Sequence, residues 1–155
     1  MRYIVLILLT LFTLTLTACS YSTDFVVIND SANPVEVQYK VKNYPGSFAP
    51  PATPSTITSS QLDSHGGQQW KKLNSDQYQI DVETRTVIVR LMPHEALLVA
   101  SMHNYGGHED AWDAKEFPID EIAVSGSDGE LRLAGQQARI TFSEISRALY
   151  TLTYK

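Results

Sequence analysis

Between Val35 and Lys42 the chain reads V-E-V-Q-Y-K-V-K, apolar and polar residues in strict alternation. Successive side chains of an extended chain point to opposite faces. Val35, Val37, Tyr39 and Val41 therefore share one side, and Glu36, Gln38, Lys40 and Lys42 the other. A period of two is incompatible with a helix and requires a second apolar surface to cover one face. The same period returns at Tyr78, Ile80 and Val82, at Val87, Val89 and Leu91, in the set Ala138, Ile140 and Phe142, and at Tyr150, Leu152 and Tyr154.

Phe25–Ile28 reads as a short apolar strand beginning near Asp24, and Asn29–Pro34 as a turn, which predicts a hairpin with the strand that follows. Ala96–Ser101 is a denser apolar run, expected of a strand covered on both faces. Ile119–Val124 and Glu130–Leu133 flank Ser125-Gly126-Ser127-Asp128-Gly129, where Asp-Gly signals a hairpin turn. No long helical stripe and no internal repeat interrupts this pattern. About eight short strands are therefore predicted, making the chain all-β. The expected fold is an antiparallel β-sandwich, Ig-like or similar, with a small β-barrel as the alternative.

Two stretches depart from the pattern. Residues 43–69 carry Pro45, Pro50, Pro51 and Pro54 among glycine, serine and threonine, with a weak strand near Thr56–Thr58. Residues 102–118, MHNYGGHEDAWDAKEFP, contain a Gly106-Gly107 pair, and Asp110–Glu116 could form two helical turns before Pro118.

Cysteine narrows the chemistry further. The single cysteine is Cys19, so residues 20–155 contain no disulfide, no thiol nucleophile and no cysteine-ligated metal. Ahead of it lie one cation, Arg2, an uncharged apolar run from Ile4 to Leu16, and the small residue Ala18. The run is shorter than the roughly 20 apolar residues of a membrane span and fits an export leader.

Leu16-Thr17-Ala18-Cys19 resembles the lipobox of bacterial lipoproteins. The resemblance covers residues 1–20 and implies cleavage before Cys19 and acylation of that residue. Residues 1–18 are then a signal peptide, 19–24 a lipidated N-terminus with a short tether, and 25–155 a single domain. One acyl chain binds a membrane marginally and two or more hold firmly, so acylated Cys19 is the expected link to the membrane. By the same resemblance, Ser20 implies sorting to the outer membrane, facing the periplasm. Five or so residues of tether reach only about 17 Å, which favours a fixed partner close to the bilayer.

Net charge is −5, and loss of Arg2 with the leader would make it −6. A mildly acidic chain is repelled by nucleic acid, which is therefore not an expected partner.

The densest set of functional groups lies in the 102–118 stretch. His103 and His108 with Asp110 or Asp113 suit a divalent metal by ligand type, although the spacing matches neither H-E-x-x-H nor a calcium loop. Tyr105 and Trp112 offer flat faces for a glycan. Ser64 and His65 are adjacent, and neighbouring side chains on an extended chain point apart. There is no G-x-S-x-G elbow and no S-x-x-K, so no catalytic residue is assigned and no cofactor is required. His94, after Met92-Pro93 at a strand end, reads as a turn residue. The resulting expectation is a non-enzymatic accessory, assembly or interaction subunit that engages another envelope protein. The alternative is a module that binds metal or glycan through residues 103–113.

Overall fold

The computed structural model describes residues 21–42, 53–62, 68–104, 117–146 and 149–155. Among these residues eleven strands form two sheets. The first sheet contains β1 (Tyr21–Asn29), β3 (Ser55–Thr58), β4 (Lys71–Lys72), β7 (Glu95–Asn104), β10 (Ser143–Ser146) and β11 (Leu149–Tyr154), in the spatial order β10-β11-β1-β7-β3-β4. The second contains β2 (Val35–Val41), β5 (Tyr78–Asp81), β6 (Thr86–Leu91), β8 (Ile119–Gly126) and β9 (Gly129–Ala134), in the order β5-β6-β2-β8-β9. The two sheets stay separate, so the fold is a β-sandwich and not a closed barrel.

Periodicity explains which faces meet. Val35, Val37, Tyr39 and Val41 of β2 are all buried, as are Val87, Val89 and Leu91 of β6. They pack against Phe25 and Val27 of β1, Leu97 and Val99 of β7, and Leu152 of β11. One end of this core is an aromatic knot. The Phe25 ring lies 4.8 Å from Phe117 and 5.6 Å from Phe142, both edge-on, and stacks at 5.2 Å on Tyr150. The Arg139 guanidinium sits 5.0 Å from the Tyr150 ring centroid, within cation–π range.

The dense run Ala96–Ser101 is covered on both faces, as its composition predicts. Ala96 belongs to a second apolar cluster with Val26 and Leu149, against which Ile28, Ile57, Leu62, Trp70 and Leu98 pack. The first sheet thus buries apolar side chains on each side.

The structure revises several local expectations. Phe25–Ile28 and Val35–Lys42 do not form a hairpin, because β1 and β2 lie in different sheets. Residues 29–34 instead cross between the sheets, and a buried polar lock fixes the crossing. Asn29 Nδ2 donates to the Asn33 and Leu91 carbonyls at 2.9 and 3.1 Å, while its Oδ1 accepts from the Ser31 backbone N–H and hydroxyl at 3.0 and 2.7 Å. With β2 gone to the other sheet, β1 pairs in parallel with β11, so the first and last strands lie side by side with Tyr154 next to Asn29. All other strand pairs among the described residues are antiparallel.

Ala138, Ile140 and Phe142 are not a strand. Gln136–Ile140 forms a short helix, α1, which buries Ala138 and leaves Ile140 66% exposed. Val82 is likewise 80% exposed, because β5 stops at Asp81 and a turn returns the chain to β6. Strand β1 opens at Tyr21, three residues before the alternation suggests, since Tyr21–Asp24 pair with Ser101–Asn104 of β7. The weak strand expected near Thr56–Thr58 is β3, and the Ser125–Gly129 hairpin joins β8 to β9 with Gly126 opposite Gly129.

Candidate functional site

Of the site residues singled out in the sequence, Cys19, Ser20, Tyr105, His108, Asp110, Trp112 and Asp113 lie outside the described residues, as does the proposed helix at 110–116. His103 is placed only through its backbone, near the end of β7 opposite Ser22. Among the described residues no group of three or more histidines, cysteines or carboxylates is arranged to hold a metal ion. His94 is a turn residue, as expected. It sits between β6 and β7 at φ 60°, donating its N–H to the Asn29 carbonyl and accepting the Ser59 N–H, each at 2.8 Å.

The described residues instead bring functional groups together on the outer face of the five-stranded sheet. The register lines up Gln79, Ile88, Gln38 and Ala123 in one row across β5, β6, β2 and β8. Asp81, Thr86, Lys40 and Glu121 form the next row by the same pairings. These residues, with Thr84 from the β5–β6 turn, line a cleft of about 530 Å³. That volume lies within the range of small-molecule sites.

The sheet builds this cleft because β2 alternates. The period that buries Val37 and Tyr39 points Gln38 and Lys40 outward. The neighbouring strands alternate in phase, since a one-residue slip would turn their apolar residues into water.

The polar groups of the cleft divide into engaged and unengaged. Asp81 Oδ1 accepts the Glu83 and Thr84 backbone N–H groups at 2.9 and 3.1 Å, closing the turn. The Thr84 backbone N–H, and after it the Thr84 hydroxyl, hold the Asp81 carboxyl below its ordinary range. Thr84 and Thr86 bond to each other through their hydroxyls at 3.0 Å. Glu121 accepts from Arg132, whose Nε also donates to Glu130 at 2.9 Å. Those carboxylates, Glu130 first, hold the Arg132 guanidinium above its ordinary pKa. The group is exposed, so the pair orders side chains more than it stabilises the fold.

By contrast, the carboxamides of Gln38 and Gln79 and the ammonium of Lys40 have no hydrogen-bond or ion-pair partner among the described residues. The cleft thus combines a half-buried apolar floor at Ile88 with unengaged side chains on the strands that flank it, β2 and β5. Sequence reading identified Gln38 and Lys40 as a wet face. It did not show that Gln79 and Ile88 stand beside them, because strand order is not written in the alternation.

Comparison with protein-family models, with curated proteins and with solved structures finds no match for this chain. Among the described residues no helix is long and apolar enough to cross a membrane.

Proposed function

We propose that this chain is a bacterial lipoprotein, acylated at Cys19 and sorted through Ser20 to the periplasmic face of the outer membrane. There it acts as a non-enzymatic accessory or interaction subunit for another envelope protein. The observation that carries this reading is the start of β1 at Tyr21, in the interior of a six-stranded sheet. Only Ser20 separates that strand from Cys19. Two Cα–Cα steps span about 7.6 Å, so a lipid on Cys19 would be coupled almost directly to the sheet.

A lipid at Cys19 would also give the domain an orientation. Phe25 packs on Phe117, two residues before β8 begins, so this end of the second sheet lies level with Phe25. Tyr21–Asp24 project about 13 Å past that level at strand rise. The body of the sandwich would then stand within roughly 20 Å of the acylated residue. The crossover at Asn29–Pro34, the Ser127–Asp128 turn and the chain end at Lys155 would face away from the bilayer. A domain held this closely meets only partners that are themselves near the membrane surface.

The test is crosslinking in intact cells with full-length protein beside Cys19→Ala. A specific envelope partner recovered with the anchored form and lost with the variant is the expected result. Recovery of an uncrosslinked monomer from both would overturn the interaction reading.

A further inference from the structure

We infer that the parallel β1–β11 pair is a shear clamp: tension between the N-terminal end of β1 and the C-terminal end of β11 is carried through that single strand pair. The clamp is a property of the sheet and stands without the anchoring reading. Only the source of the load rests on that reading, a lipid at Cys19 on one side and an engaged envelope protein on the other.

The direction of loading follows from the register. β1 and β11 run the same way and pair from Asp24–Leu149 to Asn29–Tyr154. A pull ahead of Tyr21 and a pull beyond Tyr154 therefore point in opposite directions along two adjacent strands. Hydrogen bonds of a parallel ladder run between the strands and are evenly spaced, so a pull along the strands loads all of them together. Had the strands run antiparallel, the two loaded ends would lie side by side, and the pull would open the ladder one bond at a time.

Packing on both faces resists sliding. On the inner face Phe25 stacks on its register partner Tyr150 at 5.2 Å, and the partners Val27 and Leu152 both lie in the core. On the other face Val26 and Leu149 share the second apolar cluster. A one-residue slip would exchange the faces of a strand, so sliding displaces buried apolar side chains as well as breaking bonds. The Asp30 N–H closes the far end of the ladder, donating to the Tyr154 carbonyl at 2.8 Å.

The load path is short. β1 is held on its other side by β7 along Tyr21–Ile28, whereas β11 meets its other neighbour, β10, only at Leu149–Thr151. The β1–β11 ladder is therefore the joint that fails when β11 leaves the sheet. Tension passes directly from one strand to the next, and the five-stranded sheet lies outside its path.

The experiment is single-molecule force spectroscopy of the full chain in detergent micelles, produced without export so that Cys19 keeps its thiol. One handle is attached to Cys19, the only cysteine, and the other to a peptide tag after Lys155. A second geometry uses Cys19→Ser with Asp128→Cys, which moves the first handle to the exposed β8–β9 turn. That pull acts across the strands and peels β11 from its Tyr154 end. At equal pulling speed the rupture force should be roughly two- to threefold higher in the first geometry, since forced unfolding reads the barrier along the pulled direction. Val27→Ala and Val124→Ala remove matched, fully buried side chains, one from the clamp and one from the other sheet. Urea midpoints should fall for both, and the rupture force of the first geometry chiefly for Val27→Ala. Equal rupture forces in the two geometries, or an equal loss of force in the two variants, would overturn the inference. Whether Cys19 carries lipid is read separately from the intact mass, so failure of one reading leaves the other standing.

Discussion

Tyr39 is fully buried on the inner face of β2, and its hydroxyl finds no hydrogen-bond partner among the described residues. A buried unsatisfied hydroxyl costs about 1–3 kcal/mol relative to hydration, so Tyr39→Phe should raise stability at neutral pH by on the order of 1 kcal/mol. Burial also pushes the phenol well above its ordinary pKa of 10.0. The sign follows directly. The unfolded chain ionises first, near pH 10, so the stability this group contributes is present below that pH and declines as pH rises above it. Urea midpoints measured from pH 7 to 11 should fall more steeply in the wild type than in Tyr39→Phe. Parallel curves would mean that water reaches the hydroxyl. Asn29 is the opposite case, a buried side chain with every bond made. Asn29→Ala removes the side-chain partner of the Leu91 carbonyl and of the Ser31 N–H, while the Ser31 hydroxyl keeps the Asn33 carbonyl at 2.9 Å, and should cost about 1–3 kcal/mol by chemical denaturation.

At the scale of elements, the β8–β9 hairpin is fastened to the C-terminal strand of the other sheet. Tyr154 donates its hydroxyl to the Gly129 carbonyl at 2.9 Å, and its ring fills the space beside Gly126. A Cβ on Gly126 would stand 2.9 Å from that hydroxyl and 3.0 Å from Val35, both too close. Gly126→Ala should therefore cost about 1–3 kcal/mol as overpacking. In a Tyr154→Phe background the cost should be smaller, because one of the colliding atoms is gone. A double-mutant cycle by urea denaturation reads the coupling, and strict additivity would count against the contact.

This hairpin was legible in advance, because Asp-Gly between two apolar runs is a local signal. Strand content was legible for the same reason, through the alternation of β2, β6 and β11. What failed was long-range or depended on capping geometry. Asn29–Pro34 has the composition of a tight turn, and nothing local reveals that Asn29 bonds Leu91, 62 residues away, and sends β2 to another sheet. Ala138, Ile140 and Phe142 satisfy a period of two by coincidence. Gly135 at φ 56° breaks the strand and admits the turns of α1. The cleft was half legible: the alternation gives the outward residues of each strand, and only the register makes neighbours of Gln38, Ile88 and Gln79.

At the scale of the whole molecule, the domain holds together without disulfides. Its core runs between two sheets, and a second apolar cluster on the far side of β1 and β7 adds to it. The first and last strands pair in parallel at the centre of one sheet, so a tether at the N-terminus pulls on an interior strand that sheds its neighbours only by unfolding. An anchor at Cys19 would load the most heavily paired part of the fold. The direct test of that account is the intact mass of the protein recovered from bacterial envelopes. A chain beginning at Cys19 and carrying both a diacylglyceryl thioether and an amide-linked acyl chain is the predicted result. A chain that retains residues 1–18, or begins at Cys19 without lipid, would contradict it.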